Sequence, residues 1–216
     1  MCGIVEPSPQ VSADSWLSAA LGYLDYLDLR VFRDRCTRRV AERIIREVAG
    51  HYQNKRSRPD HRLVVKLAIL MASRECNECI DYDKLVKHPP KISSSTLSKY
   101  EYLKRIYKPL ELERAVETCI SWVVERLTQR GLLSIEQSST AKDTALNLLK
   151  ALVASGRVPS GNPRILAAGL AYLAFKQIGV EIPIDQVAST INKPVESFSI
   201  SVRSLRKRIG TSSTTA

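Results

Sequence analysis

A run of ten residues, Leu166 to Phe175, holds only apolar side chains, one glycine and one tyrosine, and it is bracketed by Arg164–Ile165 and Lys176. A membrane helix takes roughly 20 such residues, so this run does not span a bilayer. As a helix it is apolar on nearly all sides and has no face to give to water, so it must be surrounded. Ala167, Ala168 and Ala171 let neighbours approach closely. One central helix ringed by four others is the simplest packing that satisfies it.

The rest of the chain fits an all-α reading. Strand alternation is scarce, and apolar residues recur at helical spacing. Trp16, Leu17, Leu21, Leu24 and Leu27 stripe a helix over residues 12–29, which is acidic at Asp14, Asp25 and Asp28. A second, over 31–51, sets Val40, Ile44, Ile45 and Val48 against Arg35, Arg38, Arg39, Arg43 and Arg46. The segment NKRSRPD is a loop, and Ser57 with Asp60 three residues later suggests a capping pair, with Pro59 early in the next helix. A nearly apolar run, Leu63 to Met71, follows. Then come a short amphipathic segment over 81–88 ended by Pro89–Pro90, and Ser93–Ser95 as caps for a helix over 96–108. Helices are expected over 110–132 and 140–154. Asn162–Pro163 reads as cap and first turn of the apolar helix, which Gly179 ends. Pro183 opens a short helix to Ile191, and Pro194 opens the last, Val195 to Ile209, capped by Gly210.

This order repeats. At a shift of 102 residues Ala72 meets Ala174, Ile80 meets Ile182, Asp83 meets Asp185 and Leu103 meets Leu205. Upstream the shift becomes 104, pairing Ala41 with Ala145, Ile44 with Leu148 and Val48 with Leu152. The change falls in a loop, where length varies cheaply. The expected organisation is a short segment 1–11, one five-helix repeat over 12–108, another over 109–210, and a disordered tail 211–216.

Composition narrows the function. The 33 Lys and Arg against 22 Asp and Glu give a net charge of +11, a field that attracts nucleic acid. Its bland counterpart is a solvated basic surface. Three histidines in basic or proline-bounded stretches, nine glycines, and no GxSxG, P-loop or GxGxxG argue against an enzyme and against a cofactor. The first residues lack the pattern of a secretory signal, which suggests an intracellular protein with no membrane partner. The five cysteines are odd in number and scattered, which argues against a disulfide scaffold. Cys76 and Cys79 form one CxxC without the second pair that structural zinc needs, so they read as ordinary thiols near a helix end.

The stretch ASGRVPSGNPRILAAGLAYLAFKQIGVEIPIDQVASTINKPVESFSISVRSLRKRI resembles the second repeat of the general transcription factor B family, archaeal TFB and eukaryotic TFIIB. The likeness lies in its glycine turn, its Pro-led apolar helix, its short DQVA helix and its final basic helix. The first repeat, over 12–108, matches more loosely. The resemblance implies two cyclin-like repeats on promoter DNA and TATA-binding protein, with RNA polymerase or another transcription factor as a further partner. It implies a location at the nucleoid or in the nucleus. The family's zinc ribbon has no counterpart upstream, which fits a truncated core or a ribbon-less paralogue acting as a regulator or competitor. The other reading is a cyclin-like regulatory subunit or adaptor that binds a kinase or another protein.

Asn192–Lys193–Pro194 joins the last two helices as in a helix-turn-helix, whose second helix reads bases while flanking cations hold phosphates. Glu196, Ser197, Ser199, Ile200 and Arg203 are the candidate readers, and Lys193, Arg206, Lys207 and Arg208 the candidate phosphate contacts. The bland reading is that the cations are only the solvated side of a helix packed through Val202, Leu205 and Ile209. In the first repeat, Lys99, Lys104 and Arg105 are assigned to TATA-binding protein. Tyr100, Tyr102 and Tyr107 are expected in core or rim. The arginine face over 35–46 suits either solvent, with Asp34, Glu42 and Glu47 as local partners, or DNA backbone or an acidic protein.

Overall fold

The computed structural model describes residues 13–31, 35–55, 57–82, 85, 89–90, 92–107, 111–159 and 161–210. Among these residues there is no strand, and the chain is all-helical. The helices are α1 (Ala13–Val31), α2 (Arg35–Tyr52), α3 (His61–Glu75), α4 (Ser94–Leu97), α5 (Glu101–Ile106), α6 (Leu112–Gln129), α7 (Ile135–Ala154), α8 (Pro163–Gln177), α9 (Ile184–Thr190) and α10 (Val195–Gly210). They divide into two compact units, Met1–Cys76 with Lys84–Lys108, and Asn77–Asp83 with Pro109–Ala216. The expected terminal segments, and most of the short segment over 81–88, lie outside the described residues.

In the first unit α1 and α2 both pack on α3. Trp16, Leu24 and Leu27 from α1, and Ile44, Ile45 and Val48 from α2, are buried with Leu63, Val65, Ile69 and Leu70 of α3. The Trp16 indole donates to the Pro59 carbonyl at 2.9 Å. The apolar run encloses one cation, Lys66, which is fully buried. Its ammonium donates to the Pro90 carbonyl at 3.0 Å. Burial pushes its pKa down, and Arg62 adds to this against an opposing effect of Asp60.

Two local expectations are corrected here. The N-cap of α3 is Asp60, whose side chain accepts from the Arg62 amide, so Ser57 is no cap and Pro59 lies before the helix. The single helix expected over 96–108 is two pieces, α4 capped by Ser93 and α5 starting at Glu101, with Lys108 beyond the described residues. The break lets Tyr100 and Tyr102 both lie edge-on to Tyr52, each with its ring centre 6.3 Å away. Residues two apart on an unbroken helix point in different directions and would not share that neighbour.

In the second unit α6, α7, α9 and α10 all pack on α8, the apolar helix. Asn162 caps it by accepting from the Arg164 amide, and Pro163 occupies the first turn. Gly179, at φ +74, ends it, with the Val180 amide bonding back to the Phe175 carbonyl. Gly131 and Gly156 end α6 and α7 with the same hydrogen-bond pattern. Helix α7 starts earlier than the expected Thr140, because Ser134 and Gln137 form a reciprocal capping box.

The two halves share punctuation. Helices α3 and α8 each have 15 residues and are offset by 163 − 61 = 102 positions. At the same offset Asp60 and Asn162 are their caps. Asn77 and Gly179 are likewise paired, each with positive φ just past the helix end.

The cysteine reading is overturned. Cys36 is bonded to Cys76, and Cys79 to Cys119, each bridge closing 40 residues of chain. The CxxC is split, one cysteine to each bridge. Pairing depends on which helices pack together, and α2 lies on α3. The second bridge also fixes the segment around Cys79, whose carbonyl accepts from the Arg164 guanidinium at 2.7 Å. That guanidinium lies 3.7 Å from Asp81 and over the Trp122 ring.

Candidate nucleic-acid interface

Helices α9 and α10 meet at a tight turn built by backbone bonds. Asn192 adopts φ 55, and the Lys193 amide donates to the Ala188 carbonyl at 3.0 Å. This is the same helix-ending device that glycine supplies elsewhere in the unit. Arg130, at the end of α6, clamps the C-terminal end of α9. It donates to the hydroxyls of Ser189 at 3.1 Å and Thr190 at 3.0 Å. A cation there also suits the negative end of the helix dipole.

Helix α10 is anchored by Phe198, Val202 and Leu205, all buried, and the Phe198 ring lies edge-on to Tyr172. Gly169 of α8 permits this approach, because a Cβ there would stand 2.5 Å from Leu205 Cδ1. The core face is therefore the one the sequence pattern indicated, and Ile209 is half-buried beside it.

The side of α10 opposite this core carries Glu196, Ser197, Ile200, Arg203, Ser204 and Lys207, all exposed. Ile200 is 65% exposed in the middle of this stripe, and Val195 is exposed at its start. Ser199 and Arg206 lie on a flank of the helix, Ser199 half-buried and Arg206 exposed. Arg208 takes the other flank, where its guanidinium donates to the Arg157 carbonyl at 3.2 Å. Lys193 is half-buried in the turn. The helix thus brings Ser197, Arg203 and Lys207 onto one outward face around Ile200 and sets Ser199, Arg206 and Arg208 to its sides. Ser204 was not singled out from sequence. Its signal was its place four residues after Ile200, facing away from Val202 and Leu205.

The other basic segments differ in how far their charge is spent. Arg38 pairs with Asp25 and Glu42. Arg43 pairs with Glu75 at 2.8 Å and with Glu47. Arg35, Arg39 and Arg46 are exposed and make no ion pair among the described residues. Asp34 lies outside them. Lys99 and Lys104 are exposed, and the Arg105 guanidinium stands 5.4 Å from the centre of the Tyr102 ring. No group of His, Cys, Asp and Glu among the described residues could hold a metal ion. No helix among them is long and apolar enough to cross a membrane.

The chain matches no known family model and no curated protein.

Proposed function

We propose that this chain is a promoter-binding core of the general transcription factor B type, two cyclin-like repeats that bind DNA together with TATA-binding protein. The observation that carries the reading is the outward stripe of α10. Ile200 stands exposed among Ser197, Arg203, Ser204 and Lys207 just after a tight interhelical turn. An exposed isoleucine gains nothing from water, but it suits a thymine methyl in the major groove. Hydroxyls bond several base edges, and Arg203 suits guanine in bidentate fashion. Lys207 and Arg206 supply phosphate contacts. Lys193 and Arg208 border the same surface. Lys99, Lys104 and Arg105 of the first unit are the contacts this reading assigns to TATA-binding protein. The +11 charge supports a nucleic-acid partner.

The test is a gel shift on promoter duplex, with and without TATA-binding protein, at two salt concentrations. The expected result is weak binding alone, much weaker at high salt, and tighter binding with TATA-binding protein. Arg203→Ala should relax sequence preference by about 1–3 kcal/mol at one position, while Lys207→Ala should weaken all sequences alike. An affinity indifferent to TATA-binding protein would reject the reading.

A further inference from the structure

At the junction of α2 and α5 the first unit carries a stacked column of rings that the duplex reading does not use. The His51 imidazole lies parallel to the Tyr102 ring, with centres 3.9 Å apart and planes 10° from parallel. Buried Tyr52 supports both rings edge-on, its centre 5.0 Å from His51 and 6.3 Å from Tyr102. His51 itself is exposed. Cations surround the column. Lys55 Nζ donates to His51 Nε2 at 2.6 Å, and the Arg105 guanidinium stands by Tyr102. Lys99 and Lys104 are exposed nearby in sequence, with Glu101 the one carboxylate of α5. Arg58 ties the adjoining loop to the carbonyls of Tyr52 and Gln53.

A neutral imidazole is required for Nε2 to accept from an ammonium. Partial desolvation, then Lys55 and Arg105, hold His51 below its ordinary pKa, in agreement with that hydrogen bond. The ring is therefore a flat, uncharged end plate on a rigid aromatic support, with positive charge at its rim. Flat π-faces framed by cations are what unpaired bases and their phosphates recognise. A duplex cannot use such a plate, since its bases already stack on one another.

We infer that His51 and Tyr102 form a stacking platform for single-stranded nucleic acid, with Lys55 and Arg105 holding the adjoining phosphates. This site does not rest on the reading of α10. It depends on base faces, not base edges, and so takes any base.

The experiment measures fluorescence anisotropy of the full chain with a labelled oligothymidylate. The comparison is an abasic phosphodiester of the same length. The platform requires the oligothymidylate to bind roughly 5-fold more tightly or better. His51→Ala should abolish that difference with an unchanged circular dichroism spectrum, while His51→Phe, which keeps a stacking face, should retain it. Arg203→Ala should leave it untouched, which separates this site from the duplex surface. Equal affinity for the two polymers, no binding of either, or a difference that survives His51→Ala would overturn the inference.

Discussion

Asp60 and Asn162 do the same task 102 residues apart, each accepting an amide hydrogen at the start of a central helix. They differ in charge, and that difference has a measurable consequence. Partial burial raises the Asp60 pKa, but hydrogen bonds from the Arg62 side chain and amide, with that cation's charge, outweigh it and leave the carboxyl below its ordinary value. An unfolded chain restores the ordinary value of about 3.9. The ionised cap therefore stabilises the fold above about pH 4, and that share is lost as pH falls through the lower folded value. Asp60→Ala should cost about 1 kcal/mol at neutral pH. Asp60→Asn should keep the cap and lose only the charge, so its deficit should shrink in acid. Urea unfolding at neutral and acid pH measures both, and a deficit of Asp60→Asn undiminished in acid would contradict the assignment. The Asn162–Pro163 start was plain in the sequence because Pro fits the first turn. The Ser57–Asp60 spacing misled because it imitates a capping pair, while the true cap sits directly before the helix.

At the scale of elements, the placement of α10 turns on Gly169. Leu205 Cδ1 occupies the space a side chain would need there. Gly169→Ala gains helix propensity of about 1 kcal/mol but must displace Leu205. Leu205→Ala alone should cost about 2–5 kcal/mol, as a buried truncation. The double substitution should cost less than the two changes summed, by roughly 0.5 kcal/mol or more, because the alanine at 205 clears the space. Strict additivity in denaturant unfolding would show that Leu205 is not the wall. The apolar run announced a surrounded helix, and in the second unit four helices surround it. Which neighbour comes closest was not legible, since Gly169 reads in sequence as one more small residue. The break between α4 and α5 was also hidden, because Ser98 and Lys99 do not forbid a helix. It follows from the rings of Tyr52, Tyr100 and Tyr102, which only the tertiary fold brings together. The stripe on α10 was largely legible, because its core face has helical period. The side chains it loses to other tasks, Arg208 above all, depend on a loop from another helix.

For the whole molecule the unforeseen feature is covalent. Each bridge closes 40 residues, a loop for which the chain-entropy estimate is about 4 kcal/mol. Reduction of both should therefore lower the melting temperature by roughly 15–30 °C, read by calorimetry with and without a dithiol. Unreduced protein, denatured and titrated with a thiol reagent, should expose 5 − 4 = 1 thiol, that of Cys2, since four of the five cysteines are paired. Five reactive thiols would remove both bridges from the account. Spacing could not reveal the pairs, because each joins segments 40 residues apart and the CxxC invites the wrong partner. The bridges also decide how the chain comes apart when cut. A protease that nicks anywhere between Cys36 and Cys76, or between Cys79 and Cys119, leaves the pieces tied by a bridge that spans the cut. Between Cys36 and Cys119, only the peptide bonds flanking Asn77 and Glu78 lie under neither bridge. Asn77 is exposed there with positive φ. Within that span, a single cut there, unlike one under either bridge, would release two separate fragments on a non-reducing gel.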